Sequence, residues 1–166
     1  MIVVLGEVML GALLLGSLSD EEERVNLRVQ IGQDIVIAAE SSCFGEVKGY
    51  FQCRLESELS ASLDAGVIPQ VAMSLRSAKT RHNDSRLYEG VSSMVTNSIE
   101  ALINDHIATS FQIPAGVRIG CWVGGKANSI HAFGAALFEL PNLAADASRF
   151  AALHGQTATI LLLSSR

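Results

Sequence analysis

The most enzyme-like stretch of this sequence is GCWVGGKA at 120–127, in which Gly120, Gly125 and Lys126 satisfy the G-x-x-x-x-G-K part of a phosphate-binding loop. In such a loop backbone N–H groups cradle the phosphates, the lysine neutralises them, and a following Ser or Thr hydroxyl ligates Mg²⁺. Here Ala127 stands at the hydroxyl position. The loop also needs a buried strand before it and a helix opening directly after it, so that the helix dipole meets the anion. The residues up to Val123 read as a strand, but those after Lys126 read as the return strand of a hairpin. A Gly-Gly-Lys turn is therefore the expectation, with nucleotide binding through Gly120, Gly125 and Lys126 as the weaker reading.

Other reactive residue types are scattered. Cys43, Cys53 and Cys121 are an odd number with no CxC or CxxC pair, so the spacing supports neither a disulfide framework nor a zinc site. They read as small buried residues or free thiols. His82, His106, His131 and His154 are isolated from one another and from any HExxH spacing, and no G-x-S-x-G elbow is present. The acidic run Asp20-Glu21-Glu22-Glu23 reads as a solvated helix-to-strand turn rather than a cation site. No catalytic, cofactor-binding or metal-ligating residue is assigned.

At 166 residues, 49% of them hydrophobic, the chain is near the usual size of one domain and can bury a sizeable core. A net charge of −5 with twelve scattered Lys and Arg argues against a nucleic-acid partner, whose phosphates require clustered cations. The apolar amino-terminal stretch MIVVLGEVMLGALLLGS lacks a basic leader, carries Glu7 in its middle, and is shorter than the roughly 20 residues needed to cross a bilayer. It reads as a buried helix over 3–17, with no membrane partner and a cytoplasmic location by default.

The elements that would position these residues follow in order. RVNLRVQIG alternates, with Val25, Leu27, Val29 and Ile31 on one side and Arg24, Asn26, Arg28 and Gln30 on the other, as a half-buried strand does. QDIVIAAE (33–40) and VKGYFQC (47–53) complete an antiparallel meander, because connections this short exclude parallel crossovers. A short helix or turn in 54–69 precedes the strand QVAMSLRSA. TRHNDSR reads as a polar loop before the strand RLYEGVSSM. Thr96 or Asn97 caps an amphipathic crossover helix whose Ile99, Leu102, Ile103, His106 and Ile107 share one stripe, which makes His106 a packed histidine rather than a base. GVRIGCWVGG then places Val117, Ile119, Cys121 and Val123 on one strand face, with Cys121 in the core. IHAFGAALFELP forms the last strand, and residues 142–166 read as two short helices or one broken at Gly155 that lie on the sheet. The fold class is α+β: a mixed, mostly antiparallel sheet with a crossover helix and covering helices.

In this order the segments resemble the heat shock protein 33 family. LGEVMLGALLLGSL is similar to the family's long helix, RVNLRVQIGQDIVIAAE to the following strand pair, and Lys48-Gly49-Tyr50 to an Arg-Gly-Tyr-type strand centre. LYEGVSSM is similar to the Tyr-Gln-Gly strand with Glu89 in place of Gln, and IPAGVRIGCWV and AFGAALFELP to the next two strands. DASRFAALHGQTATILLL resembles the start of the linker helices, through Asp146, Leu153, Thr157, Leu161 and Leu162. The resemblance implies a core domain over 1–141, the start of a helical linker over 142–166, and an ATP-independent holdase that binds unfolded or partly folded client proteins. No residue is singled out for client contact.

Departures from the family pattern bear on regulation. The four-cysteine zinc module with its CxC and CxxC pairs is missing, so client binding is expected to be constitutive, and a sheet face that linker helices would cover is expected to be partly bare. An unpaired edge left by the missing first strand would favour a homodimer. The alternative is a degenerate structural or protein-interaction module of the same fold without chaperone activity.

Overall fold

The protein is described from a computed structural model over residues 1–54, 58–64, 67–81, 86–112, 115–124 and 129–139. In chain order the elements are α1 (Ile2–Gly16), β1 (Glu23–Ile31), β2 (Ile35–Ser42), β3 (Val47–Cys53), α2 (Glu58–Asp64), β4 (Val71–Arg81), β5 (Arg86–Thr96), α3 (Ile99–His106), a π-helical turn (Ile107–Phe111), β6 (Ala115–Gly124) and β7 (Ser129–Glu139). Five strands form one antiparallel sheet in the order β3-β2-β1-β4-β5, and β6 pairs with β7 as a separate antiparallel hairpin.

Alternation in β1 turns one face of the sheet into a core wall. Val25, Leu27, Val29 and Ile31 are buried, and the register sets Ile37 and Ile35 of β2 and Leu75 and Met73 of β4 beside Val29 and Ile31. Each such aliphatic side chain contributes about 1.5–3 kcal/mol by leaving water. The meander β1-β2-β3 forms as its short connections require. One of these, between β2 and β3, passes through Gly45 at φ 81°, a left-handed conformation that suits glycine.

Helix α1 is apolar around nearly its whole circumference, and a helix of that kind must be covered on every side. It lies against β1, β2 and β3 on one side and against β6 and β7 on the other, with α3 beside it. Close approach is made possible by small residues. A Cβ at Gly16 would collide with Ser41 Oγ and come within 3.1 Å of the Ser42 carbonyl oxygen, while Ser41 Oγ itself donates to the Ala12 carbonyl. A Cβ at Gly11 would meet the Ile103 side chain of α3.

Three expectations change in detail. The α3 cap is Ser98, whose Oγ accepts from Ala101 N–H at 3.1 Å; Thr96 Oγ1 instead accepts from Ser98 N–H, and Asn97 is exposed. Beyond His106 the helix widens into the π turn and stops at Gln112, which adopts φ 55°. The path from α3 leads into the β6–β7 hairpin rather than back into the five-stranded sheet. The helices placed over 142–166 lie outside the described residues.

Gly16→Ala tests the α1–β2 contact. Alanine is the better helix former by about 1 kcal/mol, yet the collision with Ser41 should outweigh that gain. We expect a net loss of roughly 1–2 kcal/mol in urea unfolding, whereas a neutral or stabilised variant would contradict the packing.

Candidate functional site

Gly120 of the phosphate-loop motif sits within β6 opposite Gly134 of β7, and the next element described after the motif is the strand β7 rather than a helix. Gly125, Lys126 and Ala127 lie outside the described residues. Cys121 is half-buried rather than a core residue, because the β6 face grades from buried Ala115 and Val117 to partly open Ile119 and Cys121. Burial, with Glu7 as a smaller cause, raises its thiol pKa, which disfavours the nucleophilic thiolate. Cys43 and Cys53 are likewise half-buried.

The acidic run is not wholly solvated. Glu23 opens β1 in a buried position and pairs with Lys79 at 3.6 Å and Arg81 at 3.7 Å, so it anchors β1 to β4. Among the described residues no group of three or more His, Cys, Asp or Glu side chains could hold a metal ion. The His82 and His154 positions and the His131 side chain fall outside what is described.

His106 has the most elaborate polar environment and is 0% exposed. Its Nδ1 lies 2.9 Å from Ser92 Oγ and 3.2 Å from Ser110 Oγ, and its Nε2 lies 2.7 Å from Ser77 Oγ. A Ser–His contact suggests a nucleophile and its base, but the third partner is a hydroxyl instead of a carboxylate, and both Ser92 and His106 are closed to substrate. Burial lowers the imidazole pKa to about 4, against a smaller opposing effect of Asp105, and keeps the ring neutral. The packed-histidine reading holds: hydroxyls on β4, β5 and the π turn satisfy the ring and fix α3 on the sheet. Those hydroxyl partners, all distant in sequence or around one turn, carry no motif that could have revealed them.

Where α1, α3 and β6 meet, Glu7 is held partly out of water, and burial followed by the Glu100 carboxylate raises its pKa to about 7. Glu100 is itself occupied, accepting from Ile119 N–H and Arg118, each at 2.9 Å.

The five-stranded sheet has a second face with no covering element among the described residues. Register defines its central row: Val91 of β5, Arg76 of β4, Arg28 of β1, Ala38 of β2 and Tyr50 of β3. Tyr50 is 59% exposed, Val91 58% and Val95 62%, and Phe44 is exposed in the turn before β3. Ala38, Ala78 and Asn26 form the floor of a basin of about 460 Å³ rimmed by Arg28, Arg76, Tyr50 and Lys48. An open face with isolated aromatic and aliphatic groups, a small-residue floor and an adjacent edge strand that has no outer partner among the described residues can accept polypeptide by apolar contact and strand addition.

Comparison with known proteins bears on this geometry. The model of the Hsp33 protein family matches residues 1–165. The chain belongs to the Hsp33 family. A solved structure of the 33 kDa chaperonin (heat shock protein 33 homologue) of Thermotoga maritima is similar to this Hsp33-family chain, with a TM-score of 0.62 and 25% sequence identity, over 81% of this chain and 47% of that one. The chain thus spans about half the length of that relative. Comparison with curated proteins gives no match. The resemblance read from the sequence and the α+β class with antiparallel sheet and covering helices are both borne out.

His106 and Glu7 give stability opposite pH slopes. Neutral His106 contributes fully above pH 6.5, and its contribution is lost as pH falls toward 4; protonated Glu7 contributes fully below pH 4.5, and its contribution is lost as pH rises toward 7. Glu7→Gln removes only the second effect. Relative to the parent, the variant should gain roughly 2 kcal/mol between pH 4.5 and 7 after discounting for the partial exposure of Glu7. Urea midpoints across that range would show it, and parallel curves would contradict the assignment.

Proposed function

We propose that this chain is an ATP-independent holdase-type chaperone domain that captures unfolded or partly folded cytoplasmic proteins on the open face and edge of its five-stranded sheet. The observation that carries the reading is the face itself, where Tyr50, Val91 and Val95 stand exposed on a sheet whose other face is a packed core. Exposed aromatic and aliphatic side chains at both margins of one open sheet face give an extended polypeptide apolar contacts at its two ends. Family membership and the likeness to a 33 kDa chaperonin support the same direction.

Capture by this platform is proposed to need no nucleotide, since apolar contact and strand addition supply the binding. The reading also takes capture to proceed without a redox step at Cys121, whose thiol pKa is raised rather than lowered. A pairing of two copies at the β3 edge is compatible with the reading, since an unpaired strand invites strand addition.

Light scattering of a heat-denatured client tests the proposal. Near-stoichiometric protein should suppress aggregation equally with and without ATP and equally under reducing and oxidising conditions. No suppression under any of these conditions would leave the alternative, a structural or interaction module of the same fold.

A further inference from the structure

On the open face the two central strands oppose like charges. Arg28 and Arg76 are direct cross-strand partners in the β1–β4 register, and both are exposed. Such an arrangement works against folding. Arg76 is balanced by Glu89 at 3.6 Å, whereas Arg28 has no ion-pair or hydrogen-bond partner among the described residues. Arg24 and Lys48 share the single carboxylate of Glu40, at 3.5 Å and 3.1 Å. The described part of this face therefore carries Arg24, Arg28, Lys48 and Arg76 against only Glu40 and Glu89, on a chain whose net charge is −5. Cations thus outnumber carboxylates on the described part of this face.

We infer that the Arg28–Arg76 pair is a selectivity element that accepts the carboxylate of an Asp or Glu side chain in an extended client segment. Two guanidinium groups on facing positions can converge on one carboxylate, and guanidinium–carboxylate contacts are among the strongest charge-assisted hydrogen bonds. This inference rests on the sheet face being the client surface and adds the chemistry of what it prefers.

Strand spacing sets the rest of the segment. Neighbouring strands lie about 4.8 Å apart, and an extended chain advances about 6.8 Å per two residues. A carboxylate centred between Arg28 and Arg76 is one and a half strand spacings from Ala38 and from Val91, close to two residues of extended chain in either direction. It is two and a half spacings from Tyr50, close to four residues. The face thus reads, across its strands, an apolar side chain near Val91, the acidic residue two positions on, a small residue over Ala38 two further on, and an apolar or aromatic residue on Tyr50 after two more. The Ala38–Ala78–Asn26 basin supplies room for the small residue.

The test uses the full chain and three fluorescent seven-residue peptides with leucine at both ends, serine at the fifth position, and Glu, Gln or Lys at the third. At low salt the Glu peptide should bind about tenfold more tightly than the Gln peptide and still more tightly than the Lys peptide. Arg28→Gln with Arg76→Gln should bring Glu and Gln peptides within twofold, with melting temperature unchanged or raised because the like-charge pair is gone. Equal binding of all three peptides would overturn the inference and leave the capture reading standing. No peptide binding alongside full aggregation suppression would overturn it too. No peptide binding with no suppression would remove both. A dimer that dissociates on Arg28 replacement would assign the face to a second copy and overturn the inference.

Discussion

Helix α1 has no wet face, and that constraint organises the molecule. A helix apolar around its circumference can be buried only between layers, and here the five-stranded sheet covers one side while the β6–β7 hairpin and α3 cover the rest. The hairpin therefore stands apart from the main sheet. The same requirement explains the close contacts at Gly11 and Gly16, where any larger side chain would separate α1 from α3 or β2. It also explains why Glu7, the lone carboxylate of the helix, is pushed toward its neutral form.

Because all the covering elements are drawn to α1, the opposite face of the sheet has none among the described residues. The two faces of one sheet thus do different work. One is a dense aliphatic wall built by Val25, Leu27, Val29 and Ile31 with their neighbours on β2 and β4. The other is a platform of small residues and arginines with exposed aromatic and aliphatic groups at its margins. His106 and its hydroxyl partners hold α3 and the π turn on the buried side, so they serve the platform from behind without reaching it.

Local pattern made much of this legible. The period-two alternation of β1 and the 99-102-103-106-107 stripe of α3 predicted their buried faces, and the even apolarity of the first 17 residues predicted a buried helix. What was not legible depends on contacts distant in the chain. Ser98 caps α3 because Thr96 is already engaged by the turn, and Glu23 is withdrawn from water by Lys79 and Arg81 on a strand more than fifty residues away. Cys121 shares the parity of Val117 but lies where the hairpin emerges from the core. The opposition of Arg28 and Arg76 exists only because β1 pairs with β4, a pairing that skips two strands in sequence. No spacing rule within either strand contains it.

The central claim is that clients are held on the uncovered face. Photocrosslinking from single positions tests it most directly, with a photoreactive side chain placed at Ala38 or Ala78 on the platform and at Ala108, an exposed residue of the π turn packed against the opposite face. The account predicts that an unfolding client crosslinks to the first two positions and not to Ala108. Crosslinking from Ala108 with none from Ala38 or Ala78 would contradict it.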